Sequence, residues 1–220
     1  MVKYLVWLIL LVSLSSNLPA QKYFDLGFTG GASYYLGEIN PSRQFYKPSP
    51  AFGAFGRYNL NNRQAFRLSF NYISIKASDA DFDNVYQQLR NASFSASFIE
   101  VASTFEFNFL PYITNKKQKG FSPYLYGGLG YTFLLNGPDN KGSHINVPFG
   151  FGIKYSLSKK VGVGLEWGMR KTFNDYTDNI TNPGGEAMKS SFNNNDWYSF
   201  AGFFISFRLN DKSGDCPVYW

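Results

Sequence analysis

The stretch Phe24-Asp25-Leu26-Gly27-Phe28-Thr29-Gly30-Gly31-Ala32-Ser33-Tyr34-Tyr35-Leu36 changes character at every second residue. Phe24, Leu26, Phe28, Gly30, Ala32, Tyr34 and Leu36 share one face; Asp25, Gly27, Thr29, Gly31, Ser33 and Tyr35 share the other. A period of two belongs to a strand, because successive side chains of an extended chain point to opposite sides.

The same alternation recurs down the chain. Ala54, Gly56, Tyr58 and Leu60 oppose Arg57 and Asn59, and Phe66, Leu68, Phe70 and Tyr72 oppose Arg67, Ser69 and Asn71. Ile99, Val101, Phe105, Phe107 and Phe109 oppose Glu100, Thr104, Glu106 and Asn108. Later segments follow at 124–133, 147–156, 161–170 and 198–209. Eight such segments predict an all-β, eight-stranded antiparallel transmembrane up-and-down barrel over residues 21–210. Asp25, Arg57, Arg67, Glu100, Glu106, Lys154, Glu166, Arg170 and Arg208 all fall on the less hydrophobic parity. In a membrane barrel that parity lines the lumen, and these charges are expected to form ion pairs across a filled interior. A soluble sandwich or lipocalin-like barrel has the same parity with the faces reversed.

Composition favours the membrane version. The 220 residues include 23 Phe, 16 Tyr and 4 Trp, so 20% are aromatic while 16% are charged. Soluble domains carry about 25% charged residues. Mean hydropathy is nonetheless −0.25, unlike that of a helical membrane protein. The aromatic content excludes disorder. One Cys excludes a disulfide scaffold, and one His excludes most His-based metal sites.

Residues 1–20 read as a secretory signal peptide: Lys3, then the apolar run Tyr4–Leu14, then Leu18-Pro19-Ala20 before Gln21. The run is too short to span a bilayer as a helix. Residues 211–220 form a tail beyond the last strand, with Cys216 within it.

The connections set an orientation. Gly37–Ser49, Lys76–Ser93, Asn136–Ile145 and Asn174–Asp196 are long; Asn61–Gln64 and Ser158–Lys160 are tight, with Leu110–Gly120 between. Outer-membrane barrels keep short turns on the periplasmic side, which places both termini there. The periplasmic turns then hold Arg63, Lys116, Lys117, Lys119, Lys159 and Lys160 with no acid, whereas the long loops carry more acidic than basic residues. Such a basic face suits anionic head groups or the docking of a periplasmic partner. The +6 charge is thus distributed in a way that does not call for nucleic acid.

Nothing in the chain carries recognisable chemistry. His144, beside Ser143, falls in a predicted external connection and has no triad around it. Asp79-Ala80-Asp81-Phe82-Asp83 starts like a calcium loop, but Asn84 stands where the turn Gly belongs and Arg90 where the closing Glu belongs. No cofactor, metal or enzymatic activity is expected.

Tyr34-Tyr35-Leu36-Gly37-Glu38, Arg90-Asn91-Ala92-Ser93-Phe94, Glu106-Phe107-Asn108 and the run Trp167-Gly168-Met169-Arg170-Lys171-Thr172-Phe173-Asn174-Asp175-Tyr176-Thr177-Asp178 occur together and in order. In this the chain resembles the PorG-like outer-membrane proteins of the Bacteroidetes type IX secretion system. The resemblance implies an eight-stranded barrel associated with a periplasmic secretion-ring lipoprotein and its partner protein. It implies an accessory role in protein export and, in gliding species, in gliding motility. It also implies that Arg90, Trp167, Arg170, Thr172, Phe173, Asp175 and Tyr176 are framework residues of the rim and lumen.

Overall fold

The computed structural model describes residues 23–37, 40, 43–82, 93–112, 120–136, 143–158, 160–173 and 197–209. The signal segment 1–20, Arg90, Lys116, Lys117, Lys119, Lys159, Asp175, Tyr176 and the tail 211–220 lie outside the described residues. The strands are β1 (Tyr23–Leu36), β2 (Ser49–Asn59), β3 (Gln64–Ser78), β4 (Ser93–Asn108), β5 (Phe121–Asn136), β6 (Ser143–Ser156), β7 (Val161–Thr172) and β8 (Trp197–Arg208). Each pairs antiparallel with its neighbour in sequence, and β1 pairs with β8, so the sheet closes into a barrel with no free edge. Among the described residues no helix is long and apolar enough to cross a membrane.

The two parities separate cleanly. The wall facing out carries Phe28 at 62% exposure, Leu129 at 66%, Phe203 at 60% and many other bare aromatic and aliphatic side chains. The charged residues Asp25, Arg57, Arg67, Glu100, Glu106, Lys154, Glu166 and Arg170 are all buried inside. Water would demand the reverse. Hydrocarbon outward and charge inward is what a bilayer imposes on a closed sheet. On the outer wall of the described strands the only charged residues are Lys76 and Lys171, both close to the long-loop end.

Near that end the parity rule inverts. In β4, Ser93, Ser95 and Ser97 point outward while Phe94, Ala96 and Phe98 are buried within. In β3, Lys76 faces out while Ile73, Ile75 and Ala77 face in. These residues join Tyr35, Ala51, Phe82, Tyr198 and Phe200 in one apolar cluster. Along β3 and β4 the barrel thus passes from a polar interior with an apolar wall to an apolar interior with a polar wall, whereas β5 and β6 keep Leu135 and Ile145 outward and Thr132 and His144 inward. The fourth predicted segment began only at Ile99 because this reversal hides the continuation; the strand runs back to Ser93.

One sequence expectation is corrected here. β6 starts at Ser143, so His144 lies in a strand rather than in an external connection. It is buried, opposite Thr132 of β5. Ser143 alternates to the exposed outer side, so the two side chains do not share a face.

The first and last described strand ends meet at one rim, where Tyr23 pairs with Asn59 and Asp25 with Arg208. The tight turns after β2 and β6 occupy that rim too. Asn61 Oδ1 accepts from the backbone N–H groups of Arg63 and Gln64 and closes the first. Ser158 Oγ accepts from the N–H groups of Lys160 and Val161 in the second.

Candidate functional site

The lumen holds nearly all of the buried polar chemistry. Its charges begin with strand register. Asp25 stands opposite Arg57 on β2 and Arg208 on β8, so neighbouring strands present opposite charges. Arg57 stands opposite Arg67 on β3, which alone would repel. Glu106 of β4 resolves that conflict. Its Oε2 lies 2.8 Å from Arg57 Nε and 2.5 Å from Lys154 Nζ, and its Oε1 lies 3.6 Å from Arg67 Nη1. Arg67 also reaches across the lumen to β7, donating to Glu166 Oε2 at 2.6 Å and to Oε1 at 3.3 Å. Tyr124 donates to the same carboxylate at 2.9 Å.

A second polar layer lies nearer the long loops. Tyr198 Oη and Asn146 Nδ2 donate to Glu100 Oε2 at 2.7 and 3.1 Å, and Asn71 Nδ2 donates to Oε1 at 3.1 Å. Arg170 Nε is 3.5 Å from the same residue. At the opposite rim Arg208 Nε lies 3.5 Å from Asp25 Oδ1, and Asn59 donates to Asp25 Oδ2 at 2.8 Å. All nine predicted lumen charges therefore stand within 4.0 Å of an opposite charge.

Aromatic rings pack between these charges. Arg57 and Arg67 stack over Phe55 at 4.8 and 4.3 Å, and Arg57 also over Phe204 at 5.1 Å. Lys154 stands 4.3 Å from the Tyr124 ring. The rings find room because glycines sit opposite them. Phe55 faces Gly27, Phe204 faces Gly164 and Tyr124 faces Gly152. A Cβ on Gly27 would come 2.3 Å from Phe55 Cζ; on Gly164 it would come 2.3 Å from Phe204 Cζ. These inward aromatics were not singled out by sequence reasoning, although an inward-parity Gly opposite an aromatic was the available signal.

Among the described residues the lumen is filled. Between Arg67, Asn71, Glu100, Tyr126, Glu166 and Arg170 a cavity of about 10 Å³ remains, room for roughly one water. The apolar cluster of β3, β4 and β8 fills the long-loop end. Tyr112, from the β4–β5 connection, folds beneath the other: its N–H donates to Asn62 O at 2.8 Å, and its carbonyl accepts from Tyr23 Oη at 3.2 Å. Burial pushes the Tyr112 hydroxyl up to about 12, so it stays neutral at physiological pH.

Outside the lumen, the long-loop rim is organised by residues 43–47 and 78–82. Lys47 and Tyr46 both bind the Asp81 carboxylate, Tyr46 packs on Phe82 at 5.1 Å, and Arg43 lies 4.8 Å over that ring. The hydrogen bonds from Lys47 and then Tyr46 hold the Asp81 carboxyl below the ordinary range. Of the calcium-loop carboxylates, Asp79 is buried and Asp81 is engaged in this clasp; Asp83 lies outside the described residues. On the outer wall Trp167 Nε1 donates to Tyr34 Oη at 2.9 Å, which donates to Gln44 Oε1 at 2.7 Å. Arg170 and Thr172 are buried inward, and Phe173 is exposed. Of the basic turn residues, Arg63 and Lys160 are described, both exposed at the short-turn rim.

The chain matches the model of one protein family, "Domain of unknown function (DUF6089)", over residues 2–218. The chain belongs to the DUF6089 family. No curated protein matches it. Among solved structures, the N-terminal β-barrel domain of Pseudomonas aeruginosa OprF is 12% identical, with 86% of this chain and 100% of that chain covered and a TM-score of 0.48. Neisserial surface protein A is 10% identical, with 86% and 97% covered and a TM-score of 0.49. Pseudomonas aeruginosa OprG is 8% identical, with 88% and 100% covered and a TM-score of 0.46. At such identities nothing of those proteins' roles transfers to this DUF6089 barrel.

Proposed function

We propose that this DUF6089 chain is exported on its 1–20 signal peptide and inserted in the outer membrane, with its short turns and both ends in the periplasm. There it serves as a non-enzymatic component of the type IX secretion machinery, docking the secretion-ring lipoprotein and its partner protein through its short-turn face. The observation that carries the reading is the combination of an apolar outer wall with a lumen closed by paired charges. Among the described residues the lumen leaves no room for a hydrated ion, so the barrel is read as acting through its surfaces. The Trp167–Asp178 run and the basic residues Arg63, Lys116, Lys117, Lys119, Lys159 and Lys160 support the choice of system and of face. Reversing Lys116, Lys117 and Lys119 to Glu is expected to reduce co-purification of the ring lipoprotein at least fivefold, with the barrel still in the membrane. Unchanged recovery removes the docking role, and undiminished export of C-terminally signalled cargo on deletion removes the secretion role.

A second reading has its own observation. The clasp of Arg43, Tyr46 and Lys47 on Asp81 and Phe82 gives the external rim a defined shape, as loop-mediated adhesion or envelope integrity requires. Normal export with lost surface attachment on deletion would favour it.

A further inference from the structure

The outer wall is not uniformly bulky. Around Val163 of β7, where Tyr155 of β6 and Ile205 of β8 stand on either side in register, the wall sinks into a groove. Its volume is about 470 Å³, and Phe121, Leu165 and Phe203 complete its sides. That volume falls within the roughly 300–1,000 Å³ of ligand sites. The groove lies in the half of the wall next to the short turns. Below it the chain turns at Ser158, where Leu157 and Ser158 N–H groups donate to Val161 O, and then presents Lys160 exposed at the rim. Lys160 directly precedes β7, three residues before Val163, so the two stand no more than about 10 Å apart along the chain. An apolar groove opening to the side, with a cation about 10 Å away at the membrane edge, complements a molecule with a long hydrocarbon chain and an anionic head. A soluble ligand would meet a wall that is almost entirely hydrocarbon.

We propose that this groove binds an anionic phospholipid of the leaflet beside the short turns. One acyl chain lies along Val163, and the headgroup phosphate meets the Lys160 ammonium. The assignment rests on the membrane reading above and adds a specific lipid to it. An electrostatic contribution of about 1 kcal/mol per basic residue near a membrane surface corresponds to roughly a fivefold preference.

The test uses the full chain in neutral detergent with equal amounts of phosphatidylglycerol and phosphatidylcholine of identical acyl chains, read by native mass spectrometry. Phosphatidylglycerol is expected to be retained about fivefold over phosphatidylcholine. Lys160→Glu abolishes the preference and leaves phosphatidylcholine retention unchanged. Val163→Trp fills the groove and lowers retention of both lipids at least fivefold, whereas Leu129→Trp elsewhere on the wall changes neither. Heat-modifiable migration on gels verifies that each variant is folded. Equal retention of the two lipids by the unmodified chain, or undiminished retention in Val163→Trp, overturns the proposal while leaving the membrane reading intact. A chain that stays dispersed without detergent overturns both.

Discussion

Glu106 illustrates how single residues hold this barrel shut. From β4 it meets Arg67 of the adjacent β3 and also Arg57 of β2 and Lys154 of β6, two strands that share no ladder with β4. Removing it takes from Lys154 the carboxylate it pairs with, and leaves Arg57 opposite Arg67 with only the 4.0 Å contact to Asp25, while Arg67 keeps Glu166. Breaking a buried ion pair by deleting one partner costs about 3–5 kcal/mol. Glu106→Ala is therefore expected to lower the unfolding free energy in micelles by an amount in that range, read from urea titration by tryptophan fluorescence; an unchanged midpoint would contradict the network. Gly164 matters for a different reason. A Cβ there meets Phe204 Cζ at 2.3 Å and the backbone oxygen of Ile153 at 2.4 Å, so both the ring and the neighbouring strand must shift. Overpacking of this kind costs about 1–3 kcal/mol. Gly164→Val should destabilise the barrel by that amount and displace the ring that Arg57 stacks on, visible as altered Arg57 side-chain resonances. These seats were partly legible in the sequence, since parity put Gly164 inward. The ring that occupies the space was not, because Phe204 comes from a strand 40 residues later in the chain.

At the scale of elements, the long-loop ends of β3 and β4 obey a different solvent from their lower halves. Ser93, Ser95 and Ser97 outward with Phe94, Ala96 and Phe98 inward is the pattern of a soluble sheet, so this part of the hairpin stands beyond the hydrocarbon. The alternation is continuous through Ile99, but its sign changes, and a reading that follows hydrophobicity alone stops there. Residues 43–47 and 78–82 are held together at this end through Asp81. Its carboxyl is held below the ordinary range by Lys47 and Tyr46. A carboxylate whose folded value is depressed contributes stability present above its unfolded value, near 3.9, and lost as pH falls through the folded value. Protection of residues 43–47 from protease is thus expected to persist from neutral pH to about 4 and to weaken below it. In Asp81→Asn the protection should be weaker at neutral pH and independent of pH over that window. The Tyr46 hydroxyl shifts upward, chiefly through burial, and stays neutral throughout.

At the scale of the whole molecule, the described lumen bears on conduction. The cavity among its paired charges is about 10 Å³, too small for a hydrated ion. In planar bilayers the intact barrel is expected to give no conductance steps above baseline. Steps persisting in a homogeneous preparation would overturn the closed state. The sequence by itself determined the strand period, the two parities and the placement of nine charges on one of them. Each follows from local geometry, because a strand must alternate. Tertiary structure decided which parity faces inward and which charges meet. It also placed His144 in a strand, beyond the limit that its flanking residues had set. Adjacent-strand partners such as Asp25 and Arg57 follow from register. Transverse partners such as Arg67 and Glu166, 99 residues apart, exist only once eight strands close with one stagger. That stagger is a property of the whole sheet, and no single segment encodes it.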